Sequence, residues 1–120
     1  SDIAEIIITE EKSEAQDIPK IIKMSEAAGK MVRDSVNAYV EKDLELSRKV
    51  IKDDDIVDEL FEEVKTTLID FIAENKGEQG GEAIDLIMVA KYLERIADHA
   101  TNIAEWVEFS ITGIHKASVV

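Results

Sequence analysis

Hydrophobic positions recur along this chain with the spacing of α-helices. From Ile18 they fall at Ile18, Ile22, Ala28, Val32, Val36, Tyr39 and Val40, widened by Ile21 and Met31. That is one face of a helix turning about 100° per residue. The first helix is expected from Ile18 to about Glu41, with Asp17 as N-cap and Pro19 in its first turn, where a missing N–H costs little. Asp43 is expected to cap a short helix or kinked continuation, Leu44 to Ile51. Asp53, Asp54 and Asp55 then open the next helix, whose stripe is Ile56, Val57, Leu60, Phe61, Val64, Leu68, Phe71 and Ile72. It ends near Asn75, before a loop from Lys76 to Gly81 in which Gly77, Gly80 and Gly81 break the pattern. The third helix starts around Glu82 and carries Leu86, Val89, Ala90, Leu93, Ile96, Ala97, Ala100, Ile103, Ala104, Val107 and Ile111 before Gly113 stops it.

Short connections place successive helices antiparallel, so the pattern predicts an all-α fold, an antiparallel three-helix bundle over residues 18–113. Residues 9–17 read as a linker and 114–120 as a tail. Asp2-Ile3-Ala4-Glu5-Ile6-Ile7 shares Ile-Ala-Glu with Asn102-Ile103-Ala104-Glu105-Trp106-Val107. Taken as a repeat, residues 1–8 are the end of a helix from a preceding, truncated repeat.

Composition narrows the function classes. A chain of 120 residues is one domain by length, and 45% apolar residues suffice for a core. A net charge of -13 leaves no basic patch to neutralise phosphates, so nucleic acid is not expected as a partner. The same charge suits cations, basic protein surfaces or plain solubility. There is no cysteine, which excludes disulfides, thiolate metal sites and cysteine nucleophiles. The apolar runs, such as Ile6 to Ile8 and Leu86 to Ala90, are far too short to span a bilayer, and no signal peptide is visible. The expectation is a cytosolic chain, or a soluble piece of something larger, peripheral to a membrane at most.

Charge becomes chemistry on the third helix. With Glu94 at zero on a helical wheel, Asp98 falls about 40° away, and both ride on the shoulder of the apolar seam. If the second and third helices are antiparallel about a loop centred between Glu78 and Gln79, Asp58 lies level with His99, Asp54 with Ile103 and Glu62 with Arg95. Asp54, Asp58 and Glu62 then form a second acidic row beside Glu94 and Asp98, with Asp34 and Glu41 approaching from the side. Facing carboxylates repel unless protonated, solvated or bridged, and a hard cation with oxygen ligands at about 2.0–2.6 Å is the natural bridge. Two plainer readings stand beside it. Asp53, Asp54 and Asp55 stabilise a helix N-terminus without any metal, and Glu94 and Asp98 can pair with Lys91 or Arg95.

Other chemistry is weaker. His99 points about 100° from Asp98, and His115 lies in the tail. Trp106 and Phe109 suit packing or a partner surface. Ser25, Ser35 and Thr101 have no adjacent base, so no catalytic nucleophile is read. Gly77 to Gly81 has no phosphate-binding lysine. A ferritin-like di-iron enzyme needs Glu-x-x-His pairs, and none occurs.

At these residues the chain resembles a known family. Lys91 to Val107, with its core Leu93-Glu94-Arg95-Ile96-Ala97-Asp98-His99-Ala100-Thr101-Asn102-Ile103-Ala104-Glu105, resembles the signature third helix of PhoU proteins, with Ala97 replacing a glycine. Tyr39 to Ile51, followed by Asp54-x-x-x-Asp58-x-Leu60, resembles the family's passage from first to second helix. The resemblance implies one PhoU-like repeat of a protein that typically has two, so the chain would be the C-terminal half of a longer one. It implies a cytosolic, non-enzymatic regulator of phosphate uptake and phosphate-starvation signalling. Its partners would be a phosphate ABC transporter and a sensor histidine kinase, and a homodimer is admitted. It also implies multinuclear iron or another divalent or trivalent metal at paired acid-x-x-x-Asp motifs. Those motifs fall on Asp54 and Asp58 and on Glu94 and Asp98, with Asn102 as a neighbour. The alternatives are a PhoU-like cytosolic domain appended to a phosphate transporter, or a purely structural helical interaction module.

Overall fold

The computed structural model describes residues 17–74 and 80–113. They form three helices: α1 (Asp17–Glu41), α2 (Leu44–Glu74) and α3 (Gly80–Thr112). Each packs on both of the others, and the described residues hold no strand, so the fold is an all-α three-helix bundle. The readings made for residues 1–8, for most of the 9–17 linker, and for 114–120 lie outside the described residues.

The α1–α2 corner follows from local sequence. Lys42 adopts a left-handed conformation (φ 53°). The Asp43 N–H then donates back to the Ala38 carbonyl at 3.0 Å, closing α1 with a Schellman turn that has lysine where glycine is usual. The same Asp43 starts α2, its carboxylate accepting the Leu46 N–H at 3.0 Å. Two residues thus end one helix and begin the next, so α2 must run back along α1. At the far end of the chain Gly113 (φ 76°) stops α3, donating its N–H to the Phe109 carbonyl at 2.7 Å.

Three sequence expectations are corrected here. The first concerns α2, which is one unbroken helix of 31 residues. Asp53, Asp54 and Asp55 do not open a helix; they lie about three turns inside it. Asp43 had already supplied the cap, and nothing between Ile51 and Asp53 breaks the helix. Lys49 and Asp53 instead support it as an i,i+4 pair at 2.8 Å. The second concerns Asp17, whose two carboxylate oxygens are buried with no hydrogen-bond partner among the described residues. It is the first residue of α1 and makes no capping bond among them.

The third concerns the buried face. Ile22, Val32, Val36, Tyr39 and Val40 are exposed, Val40 to 70%, as are Ile56, Ile96, Ile103 and Ile111. The core instead follows a repeat of about 3.5 residues, as in a coiled coil. On α1 it runs Ile21, Met24, Ala28, Met31, Ser35, Ala38. On α2 it runs Ser47, Val50, then Asp54 (partly buried), Val57, Phe61, Val64 and Leu68. On α3 it runs Ala83, Leu86, Ala90, then Leu93 (partly buried), Ala97, Ala100, Ala104 and Val107. Small side chains occupy much of this seam, so the helices meet closely and the larger β-branched residues beside it turn outward.

Asp54 is the exception that matters. It takes a seam position between Val50 and Val57, where the repeat calls for an apolar residue. A half-buried ion pair joins the ends of the same two helices: Arg48 Nε donates to Glu108 Oε2 at 2.8 Å, with the Glu108 side chain 7% exposed and that of Arg48 56%. This joins the start of α2 to the end of α3. No described helix is long and apolar enough to cross a membrane.

Candidate metal centre

Midway along the α2–α3 contact, three carboxylates converge. Asp54, Asp58 and Asp98 each present an oxygen, and the three oxygens lie within 4.8 Å of one another. The helical period explains the convergence. Asp54 and Asp58 are four apart on α2, and Asp98 looks back at them from α3. Asp54 and Asp58 are half-buried, whereas Asp98 is exposed at the rim. Glu94 is not one of the three converging oxygens. It stands one turn before Asp98 on α3, and its charge acts on Asp58.

The electrostatics show how crowded the site is. Burial pushes the Asp58 pKa up to about 6, aided by the charges of Asp54, Glu94 and Asp98. Burial also raises Asp54, chiefly with help from Asp98, while the neighbouring Thr101 hydroxyl pulls the other way. That hydroxyl also bonds the Ala97 carbonyl at 2.9 Å. The Asp54 Oδ1 atom is buried and has no hydrogen-bond partner among the described residues, an arrangement that normally costs free energy unless something fills the gap.

These residues fit a hard cation. The donor set is entirely carboxylate, the ligand class favoured by magnesium, calcium, manganese and oxygen-ligated iron. Oxygens no more than 4.8 Å apart can be reached together by one ion with bonds of about 2.4 Å.

The plainer readings fare differently. The helix N-terminus account of Asp53 to Asp55 fails, because α2 begins at Leu44. The pairing account holds for one residue: Lys91 Nζ donates to Glu94 Oε1 at 2.6 Å. Among the described residues no lysine or arginine forms an ion pair with Asp54, Asp58 or Asp98.

The remaining flanking groups are elsewhere. Glu62 is exposed and paired to Lys65 at 3.0 Å. Asp34 is held by Lys30 and Lys49 at 3.6 and 3.8 Å, and Glu41 is exposed at the end of α1. His99 is exposed and outside the cluster. Asn102 lines an apolar groove with Val36, Tyr39, Ile103 and Trp106, not the acidic site. His115 lies outside the described residues. The hydroxyls of Ser25 and Ser35 bond to carbonyls three residues back, at 2.8 and 2.9 Å. The expected register sets Asp58 level with His99, and the structure brings it beside Asp98, one residue away on α3. Two features escaped the sequence reading. One is the seam position of Asp54, which falls in the seven-residue series Ser47, Asp54, Phe61 and Leu68. The other is the Phe61 ring beneath Lys91, 5.2 Å from its ammonium, which no spacing rule indicates.

Comparison with known proteins gives this geometry a context. A family model described as PhoU domain matches residues 21–107. A phosphate-specific transport system accessory protein PhoU homolog from Clostridium acetobutylicum is 36% identical over 113 residues, 93% of this chain and 51% of that protein. A protein of the same description from Zymomonas mobilis is 38% identical over 96 residues, 80% of this chain and 40% of the relative. PhoU homolog 1 from Thermotoga maritima is 33% identical over 109 residues, 90% and 46% of the two chains. The chain spans about half the length of the curated relatives it matches. No solved structure matches it significantly. The acidic rows and the seam that positions them all lie inside the matched span, and the chain belongs to the PhoU family.

Proposed function

We propose that this chain is a regulatory, non-enzymatic module of phosphate uptake. In this reading it acts through contacts with a phosphate ABC transporter and its sensor histidine kinase to restrain uptake and starvation signalling. A cation held by Asp54, Asp58 and Asp98, with Glu94 completing the set, is part of the working form. The observation that carries the reading is the pair of facing acidic rows within the PhoU-matched span. The relatives' description as accessory proteins of phosphate-specific transport systems supports the biological context.

The chemistry asked of the site is structural. A bound cation would neutralise three or four carboxylates that otherwise repel across the α2–α3 contact, and so bind those helices together. Binding to the folded state alone stabilises it by mass action, by about 2.7 kcal/mol at a hundredfold excess over Kd. The apolar groove of about 450 Å³ between Val36, Tyr39, Ile103 and Trp106 supports the contact part of the reading. Uncovered apolar patches rimmed by polar residues mark interaction surfaces.

Gene deletion and complementation test this proposal. Deleting the full gene is expected to raise phosphate-starvation signalling in phosphate-rich medium. The parent gene should restore repression, and the variant combining Asp54→Asn, Asp58→Asn and Asp98→Asn, at equal protein level, should not. Unchanged signalling on deletion would contradict the regulatory reading, and full repression by the variant would remove the cation from it.

A further inference from the structure

The acidic rows carry a cation of their own. Lys91 sits one turn before Glu94 on α3, and its ammonium donates to Glu94 Oε1 at 2.6 Å. The same ammonium lies 5.2 Å from the centroid of the Phe61 ring, which α2 supplies one turn beyond Asp58. Lys91 is therefore held between the two helices that carry the acids. The pair differs in exposure: the Glu94 side chain is 14% exposed and that of Lys91 49%. The carboxylate is fixed in the helix contact, and the ammonium is free to leave it. Among the described residues it is the single side-chain cation paired to any of the four acids.

We propose that Lys91 is a tethered counter-ion that competes with the bound metal cation for Glu94. This rests on reading the acidic rows as a cation site. Without metal, the ammonium neutralises the one acid that stands outside the converging oxygens of Asp54, Asp58 and Asp98. A metal ion that recruits Glu94 must displace it. The flexible four-carbon stem allows the ammonium to withdraw into water while staying near the face of Phe61, where a cation is attracted to the ring. Lys91 thus sets the concentration at which Glu94 joins the site. Its removal changes affinity in the direction opposite to removal of any carboxylate.

Calorimetric titration of the whole chain with manganese chloride at 0.15 M salt tests this. Lys91→Met keeps the stem and deletes the charge. It is expected to bind Mn²⁺ roughly five-fold more tightly than the parent, the scale of one half-exposed ion pair. Lys91→Gln should behave alike, which guards against a folding defect in either variant. Lys23→Met removes an exposed charge elsewhere on α1 and should change affinity less than about two-fold, because distant charges are screened at this salt. Asp58→Asn should weaken binding. If Asp58→Asn weakens binding while both Lys91 variants match the parent, the counter-ion proposal is overturned and the site stands. If Lys23→Met tightens binding as much as Lys91→Met, net charge is the cause and the proposal is likewise overturned. If the parent and all variants bind Mn²⁺ equally or not at all, the site reading fails and takes the proposal with it.

Discussion

Replacing Asp58 with asparagine is expected to stabilise the metal-free protein by about 2 kcal/mol at pH 7–8 and by almost nothing near pH 4. The sign follows from the direction of the shift. The Asp58 pKa stands at about 6 in the folded chain, against an ordinary value of about 3.9. The folded state therefore binds more protons than the unfolded state between those values, and stability falls as pH rises through the window. Below it both states are protonated and the group contributes nothing. Above it the full penalty of an ionised carboxylate among Asp54, Glu94 and Asp98 is present. Two pKa units correspond to nearly 3 kcal/mol, reduced here because the site is partly solvated. Asparagine keeps the shape and removes the charge. Urea unfolding at several pH values, in chelator, reads the effect directly. A variant less stable than the parent at pH 8 would mean that the acids are not in strained proximity.

The second large effect is expected from the alanine seam. Ala97 is fully buried, in a series with Ala83, Ala90 and Ala104 at seven-residue spacing. Ala97→Leu inserts three carbons where α3 meets its neighbours, and overpacking of this kind costs about 1–3 kcal/mol. We place it near the upper end, because helix backbones with small contact residues have little room to shift. That is a large fraction of the stability of a small domain. Ile103→Ala is the counterpart. Ile103 is 39% exposed, so its truncation should cost less than about 1 kcal/mol, against about 2–5 for a core isoleucine. If Ile103→Ala proves the more damaging of the two, the buried face is the one suggested by residue size and the seam described above is wrong.

That contrast shows what the chain reveals of itself and what it conceals. Helix number and order were legible, because Asp43 and Gly113 are strong start and stop signals and the apolar period is helical throughout. The faces of α2 and α3 were largely legible too, since Val57, Phe61, Val64, Leu86, Ala97 and Ala104 of the expected stripes are buried, but the face of α1 was not. Ile22, Val32, Val36 and Val40 look like core by size, yet the repeat of Ile21, Met24, Ala28, Met31, Ser35 and Ala38 lies about 100° away and packs more closely. Hydrophobicity identifies a stripe, but small residues decide which side of it touches another helix. The run Asp53 to Asp55 misled for a related reason. Three acids resemble a helix start, and the helix capped by Asp43 was expected to stop or kink near Ile51, whereas it runs unbroken through them to Glu74.

The candidate site was more legible than the core. Asp54, Asp58, Glu94 and Asp98 follow from four-residue spacing on two antiparallel helices, and the expected register brings the same faces together. What spacing does not contain is the ranking among them. Three aspartates converge while Glu94 is tied to Lys91, because the longer glutamate reaches its own helix's lysine one turn back. Phe61, which steadies that lysine, comes from the other helix.

The central claim is that the facing carboxylates bind a cation. The most direct measurement is elemental analysis combined with calorimetric titration, using iron, zinc and magnesium, on the parent and on the variant combining Asp54→Asn with Asp58→Asn. Because neutralisation is expected to stabilise the metal-free fold, unfolding would not account for lost binding in the variant. The parent is expected to show a saturable site, and removing two charged ligands is expected to weaken binding by at least about a hundredfold. Equal binding by the two proteins would contradict the claim.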